Sequence, residues 1–131
     1  MPLWIPLTSA EQPEVTLTNW RVFEVLVPEI GRPTFHFVGY CGPEHAGRVS
    51  SPVEEFDPVN RCGVSSTGRV YCLAGTPGLN GDAEYLWLKW LRIWGASVLR
   101  DCSQEALVEF AEAKTKQIQE DGGANAANSA S

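Results

Sequence analysis

Apolar and polar positions along the chain fall into short β-like runs in the first half and helix-like stripes in the second. Arg21 to Val27 is β-rich and nearly all apolar, the pattern of a central strand. Thr34 to Tyr40 alternates, with Phe35 and Phe37 on one face and His36, Val38 and Tyr40 on the other. Arg48 to Phe56 reads as a third strand, but Pro52 lacks a ladder donor and pushes it toward an edge or a bulge. Asp57-Pro58-Val59-Asn60 has Asp and Pro where a type I turn favours them.

The next segment predicts its own register. Arg61 to Ser65 and Arg69 to Ala74 flank Ser66-Thr67-Gly68, a three-residue hairpin loop with Gly at the left-handed position. Cys62 is then expected opposite Cys72, Gly63 opposite Tyr71 and Val64 opposite Val70. A one-sided sheet would put the Val and Cys pairs inward and Arg61, Ser65, Arg69 and Tyr71 outward.

After the glycine-rich break at 75–81, Asp82 is a suitable N-cap for a helix to about Trp94, which Gly95 would end. Trp87, Trp90, Leu91 and Trp94 share its apolar stripe. Ala96 to Asp101 suggests a short strand, and Ser103 opens a second amphipathic helix to about Gln119. The expected fold class is therefore α+β: an antiparallel sheet of four to five strands, with a small barrel as its curled form, packed against a Trp-rich helix. The expected organisation is an extended N-terminal arm (1–14, with three prolines), a single domain (15–120) and a disordered tail (121–131).

Composition narrows the function classes. The 131 residues suffice for one domain with a real core and carry a net charge of −6. Residues 101–131 hold −4 of that charge and residues 1–100 only −2. Acidity thus discourages nucleic-acid binding without excluding it. Seven of the ten basic residues are Arg, suited to fixed contacts with carboxylates or phosphates. The start lacks a basic leader, and Lys89 and Arg92 interrupt the most apolar stretch, so neither a secretory signal nor a membrane span is expected. That favours the cytoplasm and free thiols for Cys41, Cys62, Cys72 and Cys102, although a Cys62–Cys72 disulfide is geometrically conceivable.

Candidate chemistry is sparse. Cys41, His45, Cys62 and Cys72 would form a Cys₃His zinc set only if the 41–47 loop folded over the hairpin, and plain buried thiols are favoured. Cys41 with His45 is the best available nucleophile–base pair, but nothing supplies an oxyanion hole. Mid-strand His36 reads as a packed histidine, and Glu54, Glu55 and Asp57 as a solvated strand end rather than an acid–base cluster. No catalytic or phosphate-binding motif is present, so neither an enzyme nor a cofactor or metal is expected.

Recognition is the better candidate. Arg48, Arg61, Arg69 and Tyr71 would form an Arg/Tyr sheet face able to grip an acidic protein or to stack a base beside phosphate. Pairing of these arginines with Glu54 and Glu55 is the simplest competing role. Glu105, Glu109 and Glu112 form the acidic face of the second helix, a second candidate contact surface, though too sparse in charge for a duplex mimic. The apolar arm Leu3, Trp4, Ile5 and Leu7 is expected to dock on the exposed sheet face.

Several strings carry a resemblance over about residues 16–95: Leu17-Thr18-Asn19-Trp20-Arg21-Val22, Phe37-Val38-Gly39-Tyr40, Gly47-Arg48-Val49-Ser50-Ser51, Phe56-Asp57, Ser66-Thr67-Gly68-Arg69-Val70-Tyr71 and Asp82-Ala83-Glu84-Tyr85. The chain resembles a family of small uncharacterised proteins carried on plasmids, integrative elements and prophages of proteobacteria. No activity or site residue follows from that resemblance. It implies a mobile-element setting, in which small acidic proteins act as accessory factors and some block restriction or CRISPR machinery by binding it. The expectation is a non-enzymatic interaction protein with a protein partner, of anti-CRISPR or anti-restriction type. A nucleic-acid-binding module using the Arg/Tyr face is the alternative, and oligomeric state stays open.

Overall fold

A computed structural model describes residues 14–130, without the side chains of residue 117 and residues 119–130. The elements are β1 (Glu14–Leu26), β2 (Pro33–Cys41), β3 (Ala46–Val49), β4 (Val53–Asp57), β5 (Cys62–Ser65), β6 (Val70–Leu73), α1 (Gly81–Trp94), β7 (Ser97–Asp101) and α2 (Ser103–Ala130). The fold is α+β, a mixed sheet of seven strands with two helices. The sheet is open, so it does not take the barrel form.

The sheet order is β3-β2-β1-β6-β5-β4, with β7 also paired to β1. The first half of β1 runs parallel to β6 (Val15 beside Tyr71), and its second half runs antiparallel to β7 (Phe23 beside Asp101). The parallel pair corrects the all-antiparallel expectation. Local turn chemistry reveals hairpins between neighbouring strands, whereas β1 and β6 meet only after four intervening strands.

A bulge in β1 organises the core. Asn19 adopts φ 47° and the β1–β2 register slips between Thr18 and Arg21. The inward positions therefore change parity, from Val15 and Leu17 to Trp20 and Val22, while all four stay in one core with Phe37, Tyr71 and Phe110. Phe23, Val25 and Val27 then face the opposite side, where Val38, Ala83 and Trp87 complete a second core. Trp87 stacks on Phe23 at 4.8 Å between ring centroids. Thus α2 covers one face of the β1–β2 ladder and α1 the other.

Other expectations shift. Strand β1 starts at Glu14, and the single strand expected over 48–56 is split around Pro52 into β3 and β4. Asn80, not Asp82, caps α1, accepting a hydrogen bond from the Ala83 amide at 3.0 Å, and Gly95 ends the helix at φ 59°. Helix α2 runs to Ala130, past the Gln119 end expected for it. The apolar arm lies outside the described residues except for Glu14, which belongs to β1.

Candidate functional site

The β5–β6 hairpin has the expected register, Cys62 opposite Cys72, Gly63 opposite Tyr71 and Val64 opposite Val70, with Gly68 at φ 85° in the turn. Its faces are the reverse of those expected. Tyr71 is only 5% exposed and belongs to the core, while the Val64–Val70 and Cys62–Cys72 pairs lie on the outer side, partly exposed. Opposite Tyr71, Gly63 leaves room for the Phe37 ring; a Cβ there would stand 2.7 Å from it. The inward face pairs a large side chain with none, an arrangement hidden from an argument based on alternating polarity.

The proposed Arg/Tyr face is therefore not assembled. Arg61 has φ 61°, which ends the strand alternation, and its side chain turns back onto the core. Its guanidinium carbon lies 4.9 Å from the Phe110 ring centroid, Nη2 donates to the Gly75 carbonyl, and Nε is buried without a partner among the described residues. Arg48 is held by Glu44, with Nε donating to Oε1 at 2.7 Å, and this bond, more than the charge alone, raises its pKa further. Arg69 is half-buried at the rim of the turn. A base has no exposed Tyr71 ring on which to stack.

Cys62 and Cys72 form a cross-strand disulfide with Cα atoms 4.1 Å apart, correcting the expectation of free thiols. Cys41 and Cys102 are free and buried. Burial pushes the Cys102 thiol pKa up, keeping it protonated and a poor nucleophile. Cys41 packs in the core while His45 is exposed on a turn at φ 53°, so the two are not presented as a nucleophile–base pair. His36 is fully buried: Nδ1 donates to the Ser50 carbonyl at 2.8 Å and Nε2 accepts from the Thr34 hydroxyl at 2.8 Å. Burial lowers its pKa, partly offset by the Ser50 bond, and the tilted Trp90 ring packs at 4.8 Å between centroids. Among the described residues, no group of three or more His, Cys, Asp or Glu side chains is arranged to hold a metal ion. No helix among them is long and apolar enough to cross a membrane.

A concave feature with an apolar lining lies between α2 and β4. It is a cleft of about 350 Å³ with Val22, Phe35, Val53, Phe56 and Ala106 on its floor. Glu54 and Glu55 rise from β4, Glu105 and Glu109 from successive turns of α2, and Arg100 from β7. The two β4 carboxylates reach the same cleft although they are neighbours in sequence, because the β4–β5 register slips between Val53 and Glu55. Arg100 closes one end: Nε donates to Glu24 at 2.9 Å and Nη1 to Glu105 at 2.8 Å. Glu105, then Glu24, raise its pKa and hold it charged.

Of the seven sequence-selected residues, only Glu105 and Glu109 line this cleft; Glu112 lies exposed further along α2. Phe35, Phe56 and Arg100 are candidates that sequence reasoning misses, and Glu54 and Glu55 are ones it reads as a solvated strand end. Their sequence signal is limited to Phe35 on an alternating strand and two glutamates beside an aromatic; that Phe35 stays partly exposed is seen only in the structure. Comparison with known proteins finds no matching family model, no matching curated protein and no matching solved structure.

Proposed function

We propose that this chain is a non-enzymatic interaction protein that binds a protein partner through the acidic side of α2 and the adjoining cleft. The observation that carries this reading is the cleft itself, an apolar floor containing Phe35 and Phe56 beneath a carboxylate-rich rim. A buried apolar centre inside a polar rim is the general anatomy of a protein contact. Glu112 extends the rim's charge along the helix. The same carboxylates repel phosphate, and Tyr71 is buried, so both observations favour a protein over a nucleic acid. The narrower reading, that the partner is a host defence complex blocked by a mobile-element protein, draws its support from the resemblance over residues 16–95.

Affinity purification of the full chain from its native host tests the reading. A protein should co-elute with the wild type, be lost from a Glu109→Lys/Glu112→Lys variant and be retained by Arg48→Ala. A monomer with no co-eluting protein, or co-elution indifferent to that charge reversal, would overturn it.

A further inference from the structure

We infer that the α2–β4 cleft receives a cationic peptide segment of a partner, with one large apolar side chain seated on Phe35 and Phe56 and basic side chains meeting the rim carboxylates. The inference rests on the protein-binding reading above and specifies the partner's chemistry. Two independent observations carry it. The first is size: about 350 Å³ is near the lower end of the roughly 300–1,000 Å³ spanned by ligand pockets, suiting one or two side chains rather than a bulky cofactor. Phe35 is still 38% exposed at the end of its strand face, so a seated apolar group would remove existing aromatic surface from water.

The second is charge. Five carboxylates, of Glu24, Glu54, Glu55, Glu105 and Glu109, stand in or beside the cleft against the single guanidinium of Arg100. Arg100 is satisfied by Glu24 and Glu105, which leaves Glu54, Glu55 and Glu109 without a cation among the described residues. Lys or Arg on either side of the apolar anchor would supply the missing charge, steering encounter and fixing orientation. The chain's own apolar arm fits this less well. Residues 1–13 contain Glu11 and no Lys or Arg, so they would leave the rim unneutralised.

The test uses the full chain and three end-blocked pentapeptides: Lys-Arg-Phe-Arg-Lys, Lys-Arg-Ser-Arg-Lys and Glu-Glu-Phe-Glu-Glu. Calorimetric titration should show the Phe-centred cationic peptide binding at least tenfold more tightly than either control. Amide resonances of Phe35, Phe56 and Ala106 should shift. Glu54→Lys/Glu109→Lys and, separately, Phe35→Ser should each weaken binding at least tenfold while the thermal unfolding curve is retained. Equal binding of the Ser-centred peptide would reduce the effect to charge alone and overturn the inference. So would shifts confined to another surface, or tighter binding after Trp4→Ser/Ile5→Ser, which would make the arm the occupant. If no peptide binds but partner co-elution is still lost in Glu109→Lys/Glu112→Lys, this inference falls and the broader reading stands. Co-elution that ignores the reversal, with the peptide still in the cleft, sinks the broader reading alone.

Discussion

Gly47 of β3 lies so close to Ala83 of α1 that a Cβ on Gly47 would stand 2.6 Å from the Ala83 Cα. The contact is between backbones, so no side-chain rotation can relieve an added methyl. Gly47→Ala should therefore move α1 away from the sheet and lower unfolding free energy by about 1–3 kcal/mol. Gly42→Ala is the control: nothing lies within 4 Å of the place its methyl would take, and a change of less than about 0.5 kcal/mol is expected. Urea unfolding followed by tryptophan fluorescence compares the two.

His36 should make the fold acid-sensitive. Its buried ring is held neutral, donating through Nδ1 to Ser50 and accepting at Nε2 from Thr34, and its pKa is lowered first of all by burial. The unfolded chain therefore binds a proton at higher pH than the folded one. The contribution of His36 is fully present above about pH 6.5, the ordinary histidine value, and declines as pH falls toward the lower folded value. Unfolding free energy measured across that window should fall with acidification, and the slope should flatten in His36→Gln even though that variant is less stable overall.

The Cys62–Cys72 link should contribute to stability without contributing to recognition. It closes a segment with a sequence separation of 10, for which loop-closure entropy gives about 3 kcal/mol. Cys62→Ser/Cys72→Ser should lower unfolding free energy by about that amount while peptide affinity changes less than twofold, because neither cysteine lines the cleft. Loss of peptide binding in a variant that remains folded would contradict this separation.

Asn19 occupies left-handed backbone at the β1 bulge. Asn19→Gly should be tolerated, whereas Asn19→Val should cost about 1–2 kcal/mol, since a β-branched side chain is strained at that φ. Thermal unfolding of the two variants distinguishes a backbone requirement from a requirement for the amide.

What the sequence makes legible is local. The β5–β6 register follows from a three-residue turn with Gly68, and the end of α1 follows from Gly95, because each depends on the chemistry of a few adjacent residues. The faces of that hairpin run opposite to what polarity implies. Arg61 and Arg69 share the parity of Tyr71 and give the inward face a polar look, yet Arg61 lies at a left-handed turn position and Gly63, opposite Tyr71, leaves its space to the Phe37 ring. Composition along one strand cannot reveal which opposing side chain is missing. The cleft is hidden for a related reason. Phe35, Phe56, Arg100 and Glu105 come from four elements brought together by the β1–β7 pairing, which has no local signature, and by the bulge in β4, which Pro52 hints at without saying what it brings together.

The two-sided pairing of β1 also bears on how the protein is made. The β1–β2 hairpin can close early, but Val15 must wait for Tyr71, and Phe23 for Asp101. During vectorial synthesis the longest strand of the protein therefore emerges with one edge unmatched, and it stays so until nearly all of the domain has followed. Such long-range closure slows folding and leaves nascent chains open to association with one another. The yield of native protein should consequently respond to translation speed and to chaperone supply more than its modest size would suggest.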